Sequence, residues 1–102
     1  MVFIMVTTKY PLNKADEVSQ AFLEKKLPEV ADFVKRVNLW VAADFDTKVY
    51  ALYEIPNDKM YDGLKSISTR YLGYRSIEGF KYKIEPLATV QEALPTMGPI
   101  KK

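Results

Sequence analysis

The side chains best suited to chemistry gather in one stretch of this 102-residue chain, Val34 to Ile55, with the sequence VKRVNLWVAADFDTKVYALYEI. Arg36, Asn38 and Trp40 alternate in its first half, and Tyr50, Leu52 and Glu54 alternate in its second. Successive strand side chains point to opposite faces, so each trio is expected to share a face. A guanidinium presents a planar fork that suits a carboxylate in two-point contact, and Asn38 adds a neighbouring hydrogen bond. Burying an unpaired charge is costly, so an enclosed Arg36 calls for an anion. The expected ligand is a small amphipathic acid, a carboxylate or keto acid with an apolar body, walled by Val6, Trp40, Tyr50 and Leu52. Tyr10, closing the first strand, is a further wall candidate. Glu54 is the one candidate for a catalytic base, acting with a pKa raised by burial and helped by a tyrosine hydroxyl. If Glu54 instead pairs with Arg36, the acid loses its anchor and the ligand is neutral.

Composition narrows the chemistry further. The chain has no cysteine, hence no disulfide, no thiolate nucleophile and no zinc–cysteine cluster. It has no histidine, which removes the commonest general base and the commonest metal and haem ligand. The four glycines, Gly63, Gly73, Gly79 and Gly98, form no phosphate-cradling pattern. No metal and no cofactor are expected, and ligand binding ranks above catalysis; whether any reaction is catalysed stays open. A net charge of +2 is too small to argue for nucleic acid or an anionic membrane as partner. The opening VFIMV, five apolar residues without a basic leader, predicts neither a signal peptide nor a membrane span. A cytoplasmic setting is the expectation.

The elements that must position these residues follow in order. Val2 to Tyr10 reads as a strand apolar on both faces in its first half, as a central strand would be. Pro11 stops it, Asn13 is the expected N-cap, and Ala15, Val18, Ala21 and Phe22 recur at helical spacing. Leu27-Pro28 ends that helix, after the solvated Lys25-Lys26 pair, and Glu29 to Phe33 is a connector. The central stretch is a hairpin turning at DFDTK, with Val37, Leu39 and Val41 forming a floor for helices. Its register is not fixed by the turn, so either Tyr50 and Glu54 or Tyr53 faces the candidate site. Asn57 or Asp58 caps a second helix whose buried stripe is Met60, Leu64, Ile67 and Tyr71, stopped by a left-handed Gly73. FKYKIE, Phe80 to Glu85, is a fourth strand closed by Pro86, with Lys81, Lys83 and Glu85 on an edge-protecting face. A short helix around Val90 to Leu94 ends a single domain over residues 1–94, and PTMGPIKK, 95–102, is a loose tail.

The order β-α-β-β-α-β is that of a ferredoxin-like α+β sandwich with a four-stranded antiparallel sheet, helices on one face and the other face bare. A bare face carrying apolar residues exceeds what soluble monomers usually expose. Two copies pairing through their sheets would cover it and enclose a cavity. The segments VFIMVTTKYP, AFLEKKLP, VKRVNLW, VYALYEI and FKYKIEPL, in this order, resemble the dimeric α+β barrel superfamily, closest to its groups of unknown function. The resemblance implies a homodimer with a cavity between sheets, and as an alternative function a cofactor-independent monooxygenase or isomerase. Relatives that use Asn, Trp and His together are matched here only at Asn38 and Trp40. A rival from another class, the RNA-recognition motif, shares the topology. KVYALYEI matches its third-strand signature at Lys48, Tyr50 and Ala51 but has Val49, Leu52 and Ile55 where glycine and aromatics belong.

Overall fold

Alternating burial along the first strand sets the architecture. In β1 (Val2–Tyr10), Ile4, Val6, Thr8 and Tyr10 are buried, whereas of the odd residues Phe3, Met5 and Lys9 are only half-covered and Thr7 is buried. The computed structural model describes residues 1–24 and 27–94. Within it β1 lies at the centre of a four-stranded antiparallel sheet in the order β2-β3-β1-β4, with β2 Lys35–Asp44, β3 Asp46–Ile55 and β4 Lys81–Leu87. Helices α1 (Ala15–Leu23) and α2 (Met60–Leu72) pack on the face made by the even residues of β1 and by Val49, Ala51, Tyr53 and Ile55. This is the ferredoxin-like α+β arrangement that the order of elements implies. A one-turn helix, α3 (Val90–Ala93), follows, held by a capping box between Thr89 and Glu92.

Several local expectations change. Asn13 does not cap α1: residues 12–14 form a 3-10 turn, and Lys14 takes the cap position without a side-chain bond. Asn57 and Asp58 likewise fall in a 3-10 turn, leaving Lys59 before α2. Each helix follows a proline (Pro11, Pro56), and the tight turn after that proline takes the place of a side-chain cap. Gly73 is right-handed (φ −62°), and among the described residues the left-handed glycine is Gly79 (φ 84°). Gly73 is small for another reason. A Cβ there would stand 2.7 Å from the Leu27 side chain. The hairpin turns on Phe45 alone (φ 61°), so Thr47 and Lys48 of the expected turn belong to β3. The fourth strand continues through Pro86, which an edge strand tolerates because a missing N–H is not needed on the open side. The Lys25-Lys26 pair and the PTMGPIKK tail lie outside the described residues.

Register divides the sheet into two faces. On the bare face four cross-strand rows run from β2 to β4: Lys35-Glu54-Phe3-Leu87, Asn38-Leu52-Met5-Glu85, Trp40-Tyr50-Thr7-Lys83 and Ala42-Lys48-Lys9-Lys81. Tyr50, Leu52 and Glu54 thus face away from the helices, and Tyr53 faces them.

A β-bulge in β2 overturns one placement. Arg36 pairs with Tyr53 and Asn38 with Leu52, so Val37 is an extra residue opposite none. The extra residue reverses the alternation, and Arg36 emerges on the helix face while Asn38 and Trp40 remain on the bare one. Val6 and Tyr10, expected as walls beside Trp40, also point to the helices, where Val6 is fully buried. No helix among the described residues is long and apolar enough to cross a membrane.

Candidate ligand cleft between the helices and the sheet

Arg36 remains the organising residue, on the other side of the sheet from where alternation put it, and exposed at the cleft mouth rather than enclosed as expected. Its guanidinium carbon stands 5.5 Å from the centre of the Phe22 ring on α1. Arg70, in the last turn of α2, approaches the same ring at 5.8 Å and donates a hydrogen bond to the Pro28 carbonyl at 3.1 Å. Two guanidiniums therefore converge on one aromatic ring. Among the described residues neither has a carboxylate within ion-pair distance. Glu29 lines the recess beside them with Leu27 but makes no salt bridge to either.

Behind this pair opens a cleft of about 250 Å³ between α1, α2 and the sheet. Its walls are apolar, with Val18 and Leu23 from α1 and Leu39, Val41 and Val49 from the sheet. Its far side is a run of rings. Tyr10 stacks on Phe80 at 5.8 Å, Phe80 on Tyr74 at 4.4 Å, and Tyr74 meets Tyr71 at 6.0 Å. Within the cleft lining Tyr53 and Tyr71, both buried, bring their hydroxyls to 3.0 Å of each other. Burial, followed by the neighbouring Tyr53 hydroxyl, pushes the Tyr71 phenol far above its ordinary range. Burial also raises Tyr74, against the pull of Arg70 and Arg36, and raises Tyr10. These phenols are neutral at ordinary pH and serve as hydrogen-bonding groups.

The residues singled out in the sequence thus divide between two places. Arg36 and Tyr10 line the cleft. Val6 lies in the core beneath the helices. Asn38, Trp40, Tyr50, Leu52 and Glu54 belong to the bare face, where Trp40 stands directly across from Tyr50 and is 48% exposed. Glu54 there lies between Lys35 and Phe3, on the opposite side of the sheet from Arg36, so the two do not pair. One end of this face is basic, with Lys9, Lys48, Lys81 and Lys83 in two adjacent rows, although Lys9 reaches Asp44 at 4.0 Å and Lys83 reaches Glu85 at 3.6 Å.

Sequence reasoning missed the place of Phe22 and Arg70 in the cleft, put Tyr71 in a buried helical stripe, and left open whether Tyr53 faces the site. A signal existed for one of them. Phe22 sits on the apolar stripe of α1 beyond Val18, where it is 38% exposed rather than buried. Among the described residues no three His, Cys, Asp or Glu side chains gather in a way that could hold a metal. Comparison of the chain with protein-family models, with curated proteins and with solved structures returns no match.

Proposed function

We propose that this chain is a small-molecule-binding domain that takes an amphipathic organic acid in the cleft between helices and sheet. The observation that carries the reading is the convergence of Arg36 and Arg70 on Phe22 at an apolar cleft, without a carboxylate partner among the described residues. An apolar pocket with a few convergent polar groups is the usual form of a ligand site, and paired guanidiniums select an anion. Titration with hexanoate, followed by calorimetry, tests it. Replacing Arg36 or Arg70 with Met is expected to weaken binding roughly tenfold to a hundredfold, the worth of a charged hydrogen bond. Equal affinity in wild type and both variants would remove the guanidiniums from the reading.

The same reading pairs two copies through their bare faces. Phe3, Met5, Leu52, Leu87 and Trp40 leave that face apolar over much of its area, which favours cover by a second copy. Light scattering at micromolar concentration would give twice the chain mass of 11.7 kDa, and a clean monomer would refute the pairing. A cytoplasmic setting belongs to the reading, since a cysteine-free chain makes no use of an oxidising compartment.

The four lysines and the Trp40-Tyr50 neighbours favour a second reading of the bare face, as a platform on which single-stranded nucleic acid stacks. Salt-sensitive binding of a short oligouridine by a monomer would support that platform over the dimer.

A further inference from the structure

The tyrosine pair inside the cleft points to a second recognition element, one that distinguishes among acids. Tyr53 and Tyr71 stand with their hydroxyl oxygens 3.0 Å apart. Two hydroxyls carry two protons, and the bond between them uses one. The other proton belongs to a buried phenol in a cleft whose remaining walls are chiefly aliphatic and aromatic, and among the described residues no further acceptor is bonded to it. A buried donor left without an acceptor is destabilising, so the cleft suits a molecule that brings an acceptor to it. Deprotonation does not relieve the strain, because burial holds the Tyr71 phenol in its neutral form.

The surroundings define what carries that acceptor. Tyr53 lies directly across from Arg36 in the β2–β3 register, so the phenol pair and the guanidinium pair belong to one cleft. The stacked rings of Tyr74 and Phe80 form an aromatic side of the cleft. At about 250 Å³ the space lies near the lower bound for ligand pockets, roughly 300–1,000 Å³, which suits a single-ring compound. We infer that the cleft selects a planar acid bearing a second, uncharged oxygen acceptor: its carboxylate meets Arg36 and Arg70, its ring lies along Tyr74 and Phe80, and its carbonyl oxygen accepts from the Tyr53–Tyr71 pair.

This inference rests on the reading of the cleft as an acid site, and two probes separate the two ideas. 4-Acetylbenzoate and 4-isopropylbenzoate share a carboxylate, a ring and nearly the same outline, and differ in the carbonyl oxygen. Wild type is expected to prefer 4-acetylbenzoate by roughly three- to tenfold, the net worth of one neutral hydrogen bond. The double variant Tyr53→Phe/Tyr71→Phe replaces both partners by rings of the same shape. It should lose the preference and bind the two acids with equal affinity. In the wild-type complex the infrared carbonyl band of 4-acetylbenzoate should move to lower frequency than in an apolar solvent, a readout that does not depend on the variant folding. If both acids bind equally well, if the double variant keeps the preference, or if the band does not move, the phenol donor is refuted and the acid site stands. If neither acid binds, the acid reading itself fails, and this one with it.

Discussion

The two helices cover the same sheet face very differently. Beneath α2 the packing is close: Ile67 and Ile55 are fully buried, Tyr71 nearly so, and Gly63 lies so near Ile55 that a Cβ would come within 2.5 Å of its Cδ1. Beneath α1 the cover is thin. Val18 is the one buried residue of that helix, while Leu23 is 74% exposed and the sheet residues Leu39 and Val41 stay open to solvent. The cleft lies along that thin side. Close packing under α2 stabilises the fold and fixes Arg70 and Tyr71. Incomplete packing under α1 leaves apolar surface, an aromatic ring and a second guanidinium for something other than the core.

The largest effect expected to sharpen this contrast is in stability. Ile67→Ala should cost about 2–5 kcal/mol, the range for truncating a large buried aliphatic residue, read as a lowered urea midpoint. Leu23→Ala, on the exposed part of α1, should shift the same midpoint by no more than about 0.5 kcal/mol. A similar cost for both would erase the distinction between the two halves.

Next in size is Gly63→Ala. Alanine improves helix propensity by about 1 kcal/mol, yet the added methyl meets Ile55 in a packed layer, where overpacking costs about 1–3 kcal/mol. The variant should be less stable than wild type in chemical denaturation. A gain in stability would mean that α2 can shift and that its half of the layer is no tighter than the other.

An effect of comparable size concerns the phenols between the halves. Tyr53→Phe should cost about 1–3 kcal/mol by stranding the Tyr71 hydroxyl, whereas the double Phe variant should cost less than the single one. The pH dependence follows from the direction of the shift. Burial raises the Tyr71 pKa above that of an unfolded tyrosine, about 10, so stability from the neutral pair is fully present below that pH and is lost as the pH climbs beyond it. Of the seven tyrosines, some should resist ionisation in an ultraviolet titration until the chain unfolds in alkali. Smooth ionisation of all seven near the ordinary value would contradict the buried pair.

The order of elements and the span of β1 were legible because apolar alternation and helical spacing report burial directly. Tyr50, Leu52 and Glu54 fall on the bare face, one of the two registers that the hairpin turn left open. What alternation could not show is a change of phase. Val37 is apolar and fits either strand face, so nothing in VKRVNLW marks it as the bulged residue that sends Arg36 to the helices. The partners of Arg36 were hidden for a related reason. Phe22 and Arg70 lie on separate helices, and their meeting depends on how far α1 falls short of covering the sheet. Local pattern does not encode that distance. The 3-10 turns after Pro11 and Pro56 are a third case, because Asn13, Asn57 and Asp58 are good capping residue types that the turn leaves one or two positions before the cap.

The most direct test of the central claim is where an acid binds, read by methyl NMR during a titration with hexanoate. The resonances of Val18, Leu39, Val41 and Val49, which line the cleft, are expected to move, while those of Leu52, Met5 and Leu87 on the bare sheet stay in place. Movement confined to Leu52, Met5 and Leu87 would put the ligand on the bare face and contradict a binding site between the helices and the sheet.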